Sequence, residues 1–423
     1  MPNKSESIYT NPLSVNEQFF FCGVPLRLDT YSNCSHNCSY CFARALELTN
    51  ASKAKSKGII KPADPHDIQH ALTKAMDWSK KYSDIEVEWL RRKVPIHWGG
   101  MSDPFQPCER KYKVSAKVME HLNWYMYPTV ISTKGSMIAE QEYIDRLLEG
   151  LYAVQITLIS RNDELIGQLE PGAPSAAERL KVLEKLASAG IWTACRIQPV
   201  IPGSIVETDM KGFIGTLANT GIKHIVVEGY KPSVWFKDGY RKVNEVCGGD
   251  VTLEYGQQTG SEFFLPTWRK WEYLQVALQA AHEHSITVGA ADNDLRDMGD
   301  VECCCGIDKV PGFENYWTYQ TARMATIAKK NGIVELDDLL MEWTGRQTIT
   351  MNKNAAALMC DDITGEPIKA PIKYFVDRAW QLGDQHSAAC MPNMKQIYHN
   401  GAIAYRYEFK LDKLEQSKVV RLL

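Results

Sequence analysis

The sequence lacks the long apolar segments that direct a chain into or across a membrane. None of its 423 residues belongs to a run that approaches the ~20 apolar residues needed to span a bilayer. Residues 1–18 are polar and contain no apolar core of a signal peptide. Internal repeats and low-complexity tracts are absent as well, which excludes a solenoid. We therefore expect a cytoplasmic protein without a membrane partner.

A strong excess of either charge is also missing. The 48 Lys and Arg residues nearly balance the 51 Asp and Glu residues, for a net charge of −3. Such a balance gives no long-range attraction to nucleic acid or to an anionic membrane, although it is compatible with a local basic groove. The hydrophobic share of 44% is ordinary for a globular protein with one large α/β domain and a smaller unit.

Cysteine, in contrast, is plentiful. The chain has 12 cysteines, which are many for a reduced compartment in which disulfides rarely persist. Six of the 12 fall into two groups, one at residues 34–41 and one at residues 303–305. Clustered cysteines in such a compartment indicate metal or redox chemistry.

Short apolar strands alternate with amphipathic helices along most of the chain. Runs rich in Val, Ile and Thr predict strands at 26–31, 94–98, 128–133, 152–159, 192–200, 223–229 and 285–292. Helices are predicted between them, for example at 175–190, where Ser175 is an N-cap with a Glu three residues later and Gly190 ends the helix. This alternation implies an α/β fold of parallel strands with right-handed crossovers, and six or seven units fit a complete or partial barrel.

Unusual residues follow these strands at the point where each one ends. They are Cys34, Gly99 and Gly100, Lys134, Ser160, Pro202 and Gly203, and Glu228. Barrels of this kind build their active sites from the carboxyl ends of the strands, so these residues are expected on one rim. After residue 300 the strand–helix rhythm stops. We predict a barrel domain at 20–300 and a C-terminal accessory region at 301–423.

The first cysteine group has the spacing Cys34-x3-Cys38-x2-Cys41. Three thiolates cannot complete a structural zinc site, which needs four ligands, and His36 lies too close to its neighbours to complete a tetrahedron. A [4Fe–4S] cube held by three thiolates leaves one iron open for a substrate or cofactor. A zinc site and three unrelated buried thiols are the alternatives.

With Tyr40 just before its third cysteine, this loop resembles the signature of the radical SAM superfamily. The strings MSDPFQPCE, ISTKGS and LEPGAPSAAERLKVLEKLASAGIWTACRIQPVIPG look like its spore photoproduct lyase-related branch, often described as DNA repair photolyase-like. The resemblance implies a partial TIM-type, (β/α)6-like barrel with a C-terminal α+β extension. It also implies an enzyme of lyase or oxidoreductase type whose open iron binds S-adenosylmethionine (SAM).

The same resemblance implies the reaction and its partners. An electron from a donor such as flavodoxin or ferredoxin would cleave SAM, and the resulting 5′-deoxyadenosyl radical would abstract hydrogen from a substrate. A nucleic acid or nucleotide is the leading substrate class on this ground alone. A small molecule or a peptide side chain is the second class. A non-catalytic metal-binding adaptor is a further alternative.

The resemblance also assigns residues to a SAM pocket. The Gly99-Gly100 edge would bind the amino group of SAM, because glycine lets a backbone approach a ligand closely; a simple tight turn is the alternative. The other candidates are Tyr40, Ser102, Lys134, Thr157, Ser160 and Arg196.

Each of these candidates has a second explanation. A charge in an apolar strand needs an anionic partner, so Lys134 and Arg196 either meet a bound anion or pair with a carboxylate of the chain. The carboxylates available for such pairing are Asp103, Glu170 and Glu228. The hydroxyls of Thr157 and Ser160 either bind SAM or cap the ends of their strands.

One departure from the branch concerns the hydrogen donor. Spore photoproduct lyases place a hydrogen-donating cysteine just before the Ser-Asp pair that corresponds to Ser102-Asp103, whereas this chain has Gly100 and Met101 there. Cys108 is the next cysteine along the chain and becomes the candidate donor. Repair of the spore thymine lesion itself is therefore not expected.

The second cysteine group consists of Cys303, Cys304 and Cys305, which Cys360 and Cys390 could complete. An auxiliary iron–sulfur cluster near the barrel mouth, a structural zinc ion and free buried thiols are the three interpretations. The preceding Asp292, Asp294 and Asp297 are interpreted as a solvated turn. Four aromatic residues near the rim are candidates for stacking on a base: Trp98, Phe105, Tyr230 and Trp235.

Overall fold

The structure is a computed structural model that describes residues 8–16, 18–49, 58–248, 257–259, 262–339, 345–351, 367–383 and 393–409. The candidate ligands Cys360 and Cys390 lie outside these ranges. Within the described ranges, no helix is long and apolar enough to cross a membrane.

Eight of the described strands form one sheet, and the others form three two-stranded sheets. The strands are β1 (Leu13–Val15), β2 (Leu26–Leu28), β3 (Ile96–Trp98), β4 (Thr129–Thr133), β5 (Tyr152–Thr157), β6 (Trp192–Val200), β7 (His224–Gly229), β8 (Gln257–Thr259), β9 (Glu262–Phe264), β10 (Thr287–Ala290), β11 (Thr348–Met351), β12 (Ile368–Pro371), β13 (Met394–His399) and β14 (Ala402–Tyr407). The order in the large sheet is β1-β2-β3-β4-β5-β6-β7-β10. All its pairings are parallel except that of β1 with β2.

The helices mostly connect the parallel strands, and the last two follow the large sheet. They are α1 (Phe42–Thr49), α2 (Pro65–Met76), α3 (Ile85–Arg91), α4 (Glu109–Tyr112), α5 (Val114–Trp124), α6 (Gln141–Glu149), α7 (Asp163–Leu169), α8 (Ala176–Ser188), α9 (Ile205–Thr208), α10 (Met210–Ala218), α11 (Lys237–Cys247), α12 (Thr267–His282), α13 (Thr321–Asn331) and α14 (Ile372–Leu382). The predicted capping box of α8 is confirmed, because Ser175 and Glu178 exchange side-chain and backbone hydrogen bonds. Gly190 follows with a φ of 84°, which ends that helix.

The predicted α/β fold is confirmed as a mainly parallel sheet with β1 and β10 at its two edges. Strands β4 and β5 are buried along their whole length, as expected of strands covered on both faces. One large apolar core fills the space between the sheet and its helices. The antiparallel edge strand β1 and the hairpin β8–β9 were not predicted from the sequence. The division of the chain at residue 300 stays a prediction.

A second, smaller apolar cluster lies near the amino ends of the strands. It joins Val130 and Ala153, each the second residue of its strand, to Val24 and to the segment that contains Cys303, Cys305 and four further apolar residues (Ile307, Val310, Phe313 and the adjacent Tyr316). This cluster fills the end of the barrel opposite the predicted active-site rim, and we call it the closed end.

Candidate functional site

The three-cysteine loop follows β2 and is fixed by hydrogen bonds to its backbone. The amide of Ser35 donates to Gln106 Oε1 at 2.8 Å, and the same Gln106 donates through Nε2 to Asn33 O at 2.8 Å. The amide of Ser39 donates to the carbonyl of Leu169 at 2.8 Å. Gln106 is fully buried, so the loop is held in one conformation by partners distant in sequence.

Two glycines allow other segments to pack directly against this loop. A Cβ on Gly172 would lie 2.2 Å from the carbonyl oxygen of Ser35, and a Cβ on Gly239 would lie 2.2 Å from that of Ser39. Real Cβ atoms do not approach so closely, so each position requires glycine. The loop is therefore enclosed by the turn after α7 on one side and by the start of α11 on the other.

His36 anchors the loop to its surroundings. Its Nδ1 lies 2.9 Å from the carbonyl oxygen of Gly172, and its Nε2 lies 3.1 Å from Asp103 Oδ2. Nδ1 is thus hydrogen-bonded and Nε2 faces a carboxylate at ion-pair distance, so the imidazole is oriented by groups distant in sequence.

Asp103 connects this anchor to strand β4. Its carboxylate accepts hydrogen bonds from the Thr133 hydroxyl and from the Lys134 amide, both at 2.6 Å. Burial alone would raise the pKa of Asp103, but His36 and these hydrogen bonds lower it to about 2. The carboxylate is consequently charged at any physiological pH.

Tyr40 takes part in a buried network of charges. Its hydroxyl donates to Glu170, which also pairs with Arg179, and both members of this ion pair are fully buried. Arg179 donates in addition to the carbonyls of Thr157 and Pro174, at 2.8 and 2.9 Å. The aromatic residue of the cysteine signature therefore has a structural partner in the chain itself.

Lys134 lies beside the cysteine loop. Its ammonium nitrogen is 5.6 Å from the centre of the Tyr40 ring. Burial alone would lower the pKa of Lys134, but the neighbouring Cys38 and Glu170 raise it above its ordinary value. A positive charge next to Cys38 suits a thiolate or an anionic group bound by thiolates.

Of the three thiols, Cys38 is buried, whereas Cys34 and Cys41 are half-buried. Burial raises the pKa of Cys34 to about 12 and raises that of Cys38 well above its ordinary value. Across the described ranges, no group of three or more His, Cys, Asp or Glu side chains is arranged to hold a metal ion. A multi-iron cluster spreads its thiolates more widely than one tetrahedral ion with metal–sulfur bonds of about 2.3 Å. The rigid loop, its three thiols and the adjacent Lys134 fit such a cluster.

The glycine pair lies directly after β3, as predicted. Gly99 has a φ of 95°, and a Cβ there would lie 2.2 Å from the Ser132 carbonyl oxygen. The close approach of β3 and β4 therefore explains this glycine. Gly100 has a negative φ, and a Cβ there would meet only the flexible side chain of Arg27, at 3.1 Å. Gly100 is thus the glycine of the pair that the backbone packing does not require.

The three predicted hydroxyl ligands are not equivalent. Ser102 is buried and donates to the carbonyl of Tyr31 at 2.6 Å. The hydroxyl oxygen of Ser160 accepts from the amide of Asn162 at 3.1 Å, so it stabilises the turn after β5. Both are already used within the fold. Thr157, at the end of β5, is also buried.

Arg196 points into a row of polar side chains that crosses the sheet. Its Nη1 donates to Gln155 Oε1 at 2.7 Å, and its Nη2 donates to Gln198. Ser132 also donates to Gln155 Oε1, at 3.3 Å, and lies 2.8 Å from His97 Nε2. We call His97, Ser132, Gln155, Arg196, Gln198 and Glu228 the polar row.

The polar row leaves Arg196 without a carboxylate partner in the described part of the chain. The same is true of Lys134. Burial and the nearby Arg196 and Arg27 lower the pKa of His97 to about 3, so His97 is neutral at pH 7. That these six side chains form one row was not predicted from the sequence. Polar residues at alternate positions of otherwise apolar strands are the pattern that would have indicated it.

Carboxylates and lysines alternate at the carboxyl ends of β7 and β10. Glu228 binds both Gln198 and Lys231, and Lys231 Nζ lies 3.8 Å from Asp292 Oδ1. Asp292 also accepts from the Tyr273 hydroxyl at 2.8 Å. The interpretation of this aspartate stretch as a solvated turn is wrong, because Asp292 and Asp297 are buried and Asp292 lies beside the half-buried Lys231.

The structure also places the other predicted cysteines and the proposed stacking aromatics. Cys108 begins α4 beside Tyr31 and Glu109, among residues of the large core. Cys303, Cys304 and Cys305 lie at the closed end, not near the barrel mouth as expected, because their segment packs against the amino ends of β4 and β5. Three of the four proposed stacking aromatics, Trp98, Phe105 and Tyr230, are core residues; Trp235 is 55% exposed.

Comparisons with known proteins add an independent line of information. No family model matches the chain. An uncharacterized protein of Mycobacterium bovis is 23% identical over 215 residues, which cover 49% of this chain and 59% of that protein. A protein of Pseudomonas phage M6, named a radical SAM Nα-GlyT isomerase, is 27% identical over 133 residues, which cover 31% of this chain and 27% of that protein.

The chain is similar to radical SAM proteins. A solved structure of a spore photoproduct lyase mutant with bound AdoMet and dinucleoside spore photoproduct has a TM-score of 0.48 and 15% identity, covering 64% of this chain and 78% of that one. SuiB of Streptococcus suis bound to S-adenosylmethionine has a TM-score of 0.41 and 12% identity, covering 65% of this chain and 52% of that one. The printed name of the phage protein agrees with the resemblance inferred from the cysteine loop.

Proposed function

We propose that this protein is a radical SAM enzyme. The observation that carries the proposal is the loop of Cys34, Cys38 and Cys41, which is rigidly held at the carboxyl end of a parallel sheet. When bound there, a [4Fe–4S] cluster supplies the electron that cleaves SAM reductively. The protein's own residues hold, orient and shield the reacting groups.

Two cationic side chains, one at the rim and one in the barrel interior, could bind anionic groups of SAM or of the substrate. Lys134 directly follows β4 and Arg196 lies on β6, with β5 between the two strands. Neither forms an ion pair with a carboxylate of the described chain. In contrast, Lys231 is neutralised by Glu228 and Asp292. The carboxylate of SAM is the anion that Lys134, beside Cys38, would bind. Arg196 would hold an anionic group of SAM or of the substrate deeper in the barrel.

The substrate that we propose is a nucleotide or nucleic acid seated over the barrel mouth. The resemblance of residues 95–203 to a DNA-repair branch supports this class. A net charge of −3 argues against tight affinity for DNA, which usually depends on many contacts of Lys and Arg with phosphate. Cys108 stays a candidate hydrogen donor by sequence alone.

The test is anaerobic reconstitution with iron and sulfide, followed by a reductant-driven assay for 5′-deoxyadenosine. Wild type, Cys38→Ala and the control Cys247→Ala are compared, because Cys247 is a partly buried thiol at the end of α11, far along the chain from the loop. We expect product from wild type and Cys247→Ala and none from Cys38→Ala. Equal product from all three, or intact SAM with bound zinc, would contradict the proposal.

A second measurement separates the substrate classes. Consumption of SAM is compared with and without short DNA duplexes, mononucleosides and a peptide mixture. Stimulation by nucleosides or DNA alone supports the nucleotide class, whereas stimulation by peptides alone replaces it with the second class.

A further inference from the structure

Four cysteines meet at the closed end of the barrel, and three of them are consecutive. Cys303 and Cys305 belong to the closed-end apolar cluster, and Cys22 and Cys304 pack against it. Cys22 comes from the segment before β2, about 280 residues away along the chain, and was not associated with this group by sequence. We call Cys22, Cys303, Cys304 and Cys305 the closed-end thiols.

Two of the closed-end thiols, Cys22 and Cys304, accept hydrogen bonds, and the Cys22 thiol also donates to the carbonyl of Val24 at 3.5 Å. Arg296 Nη1 donates to Cys304 Sγ at 3.3 Å, and the amide of Val24 donates to Cys22 Sγ at 3.4 Å. The position that a Cβ of Gly23 would take lies 3.2 Å from Cys303 Sγ and 3.0 Å from Gln320 Nε2. N–H groups aimed at sulfur stabilise thiolates over thiols.

Arg296 is the observation that a purely apolar cluster does not explain. It is only 9% exposed, and its hydrogen-bond acceptors are Asn293 Oδ1, at 3.1 Å, and Cys304 Sγ. No carboxylate in the described residues forms an ion pair with it. Burying a cation whose hydrogen-bond partners are neutral is unfavourable by several kcal/mol. The position therefore favours nearby negative charge, and the groups around it that could carry that charge are Glu228 and the closed-end thiols Cys22, Cys303 and Cys304.

Gln320 gives a second, independent indication. Its amide nitrogen is buried and has no hydrogen-bond partner among the described residues, although buried donors are nearly always paired. Arg296 contacts Cys304, whereas Gln320 Nε2 and Cys303 Sγ both lie against Gly23, the residue after Cys22. His224, in contrast, is occupied: its ring nitrogens lie 2.9 Å from Cys304 O and 2.8 Å from Thr287 Oγ1.

We propose that the closed-end thiols bind a metal centre through their thiolates, either a zinc ion or an iron–sulfur cluster. Both are soft-ligand centres that cysteine thiolates hold in proteins. Binding releases the thiol protons and leaves negative charge beside Arg296. It also joins the segment before β2 to the segment after β10, across the end of the barrel that SAM does not enter.

The side chains must rotate to take this role. The closed-end thiols do not surround one point in the described structure. Residues 301–306 form turns and bends with no regular hydrogen-bond ladder, and rotation about the Cα–Cβ bond moves a sulfur without moving the backbone. The same description applies to the three-cysteine loop, so both sites would adjust when a metal enters.

The test uses the variant in which Cys34, Cys38 and Cys41 are all replaced by alanine. The full-length variant is purified anaerobically, and its zinc, iron and acid-labile sulfide are counted before and after reconstitution. About one zinc ion per chain, or roughly two to four irons with matching sulfide, is the expected result, and the two contents distinguish zinc from a cluster. A variant without stoichiometric metal under either condition would overturn the proposal.

Further substitutions in this background locate the metal. Adding Cys22→Ser and Cys304→Ser should abolish the remaining metal, whereas adding Cys247→Ser should leave it unchanged. Cobalt titration of the triple variant needs no substitution at the site, so it stays informative if a double serine variant does not fold. Thiolate-to-cobalt absorption is expected, and its absence together with a lack of iron would refute the proposal.

The outcome is independent of the proposed function. Loss of 5′-deoxyadenosine formation by wild type would contradict radical SAM chemistry while leaving the metal content of the triple variant unaffected. Conversely, an active wild type with a metal-free triple variant would contradict only the closed-end site.

Discussion

The pair of His36 and Asp103 determines how firmly the cysteine loop is held, and Asp103→Asn tests it. The folded-state pKa of Asp103 is about 2, against an ordinary value of 3.8. A lowered carboxyl pKa means that the charged form is favoured by folding, and this difference corresponds to roughly 2 kcal/mol at pH 7. If the NH2 group of asparagine replaced Oδ2, it would face the Lys134 N–H, and two donors cannot bond to each other. The lost hydrogen bond adds about 1 kcal/mol to the destabilisation. We expect Asp103→Asn to lose roughly 3 kcal/mol.

The pH dependence of this stabilisation follows from the lowered pKa of Asp103. Because the pKa of Asp103 is lower in the folded chain, its contribution is complete above the ordinary value of 3.8 and disappears as the pH falls toward 2. The charge-dependent part of the loss should therefore fall to roughly half at pH 3. Because His36 and Asp103 interact with each other, His36→Gln and Asp103→Asn each remove the same interaction. Their effects on the free energy of unfolding should therefore be non-additive, by about 1–2 kcal/mol in a double-mutant cycle.

The assay is urea unfolding of the metal-free chain at pH 7 and pH 3, with Asp145→Asn as the matched control. Asp145 is an exposed carboxylate on α6 that accepts one hydrogen bond, from Gln141, so its loss should stay below about 0.5 kcal/mol. A free-energy loss below 1 kcal/mol for Asp103→Asn, or additive effects of the two substitutions, would refute the anchoring role. Iron retention after reconstitution gives an independent reading of the loop.

Three further predictions concern other parts of the site. Glu170→Gln leaves the buried Arg179 without its charge partner and should lower stability by roughly 3–5 kcal/mol, measured by thermal unfolding; a loss below 1 kcal/mol contradicts this. Gly99→Ala should destabilise far more than Gly190→Ala, because both have positive φ but only Gly99 also meets a backbone oxygen, at 2.2 Å; equal melting temperatures would contradict the packing argument. Arg196→Gln should raise the KM for SAM or for substrate about tenfold or more, with kcat less affected; unchanged kinetics would show that Arg196 only supports the polar row.

The order of strands and the rim could be predicted because both depend on short-range patterns. Runs of apolar residues gave β3 to β7 within a few residues, and the carboxyl end of each strand is the next position along the chain. Lys134 and Glu228 were therefore assigned to the rim correctly from sequence spacing alone. The capping box at Ser175 was predicted for the same reason, since its two partners are three residues apart.

The contacts that hold the site could not be predicted in this way. Gln106 contacts Ser35 across 71 residues, and His36 contacts Gly172 across 136. Nothing in the local pattern of either segment selects the other. The positions of glycines were a usable signal, since Gly172 and Gly239 are both required by close approach to the loop, but a glycine alone does not reveal its neighbour.

The cysteine contacts at the closed end could not be predicted from the sequence either. From the sequence, Cys303, Cys304 and Cys305 were grouped because they are adjacent, and their predicted partners were the downstream Cys360 and Cys390. In the structure the cysteine that packs beside them is Cys22, from the upstream part of the chain. The segment is apolar enough to enter the barrel from its amino end, and the rim is already lined by charged side chains that are paired with one another. Burying three thiols among Val24, Val130 and Ala153 is favourable by the hydrophobic effect, while placing them between Lys231 and Glu228 is not.

Separation of the two thiol groups has a chemical consequence. The polar row lies between them, with Gln155 donating to Cys305 O at 3.0 Å and accepting from Arg196 at 2.7 Å. A shift of the closed-end loop would therefore move Gln155, and through it the guanidinium of Arg196 in the barrel interior. A metal bound at the closed end would fix the position of Arg196 without touching SAM. Its loss should accordingly change the KM governed by Arg196 before it changes the iron held by Cys34, Cys38 and Cys41.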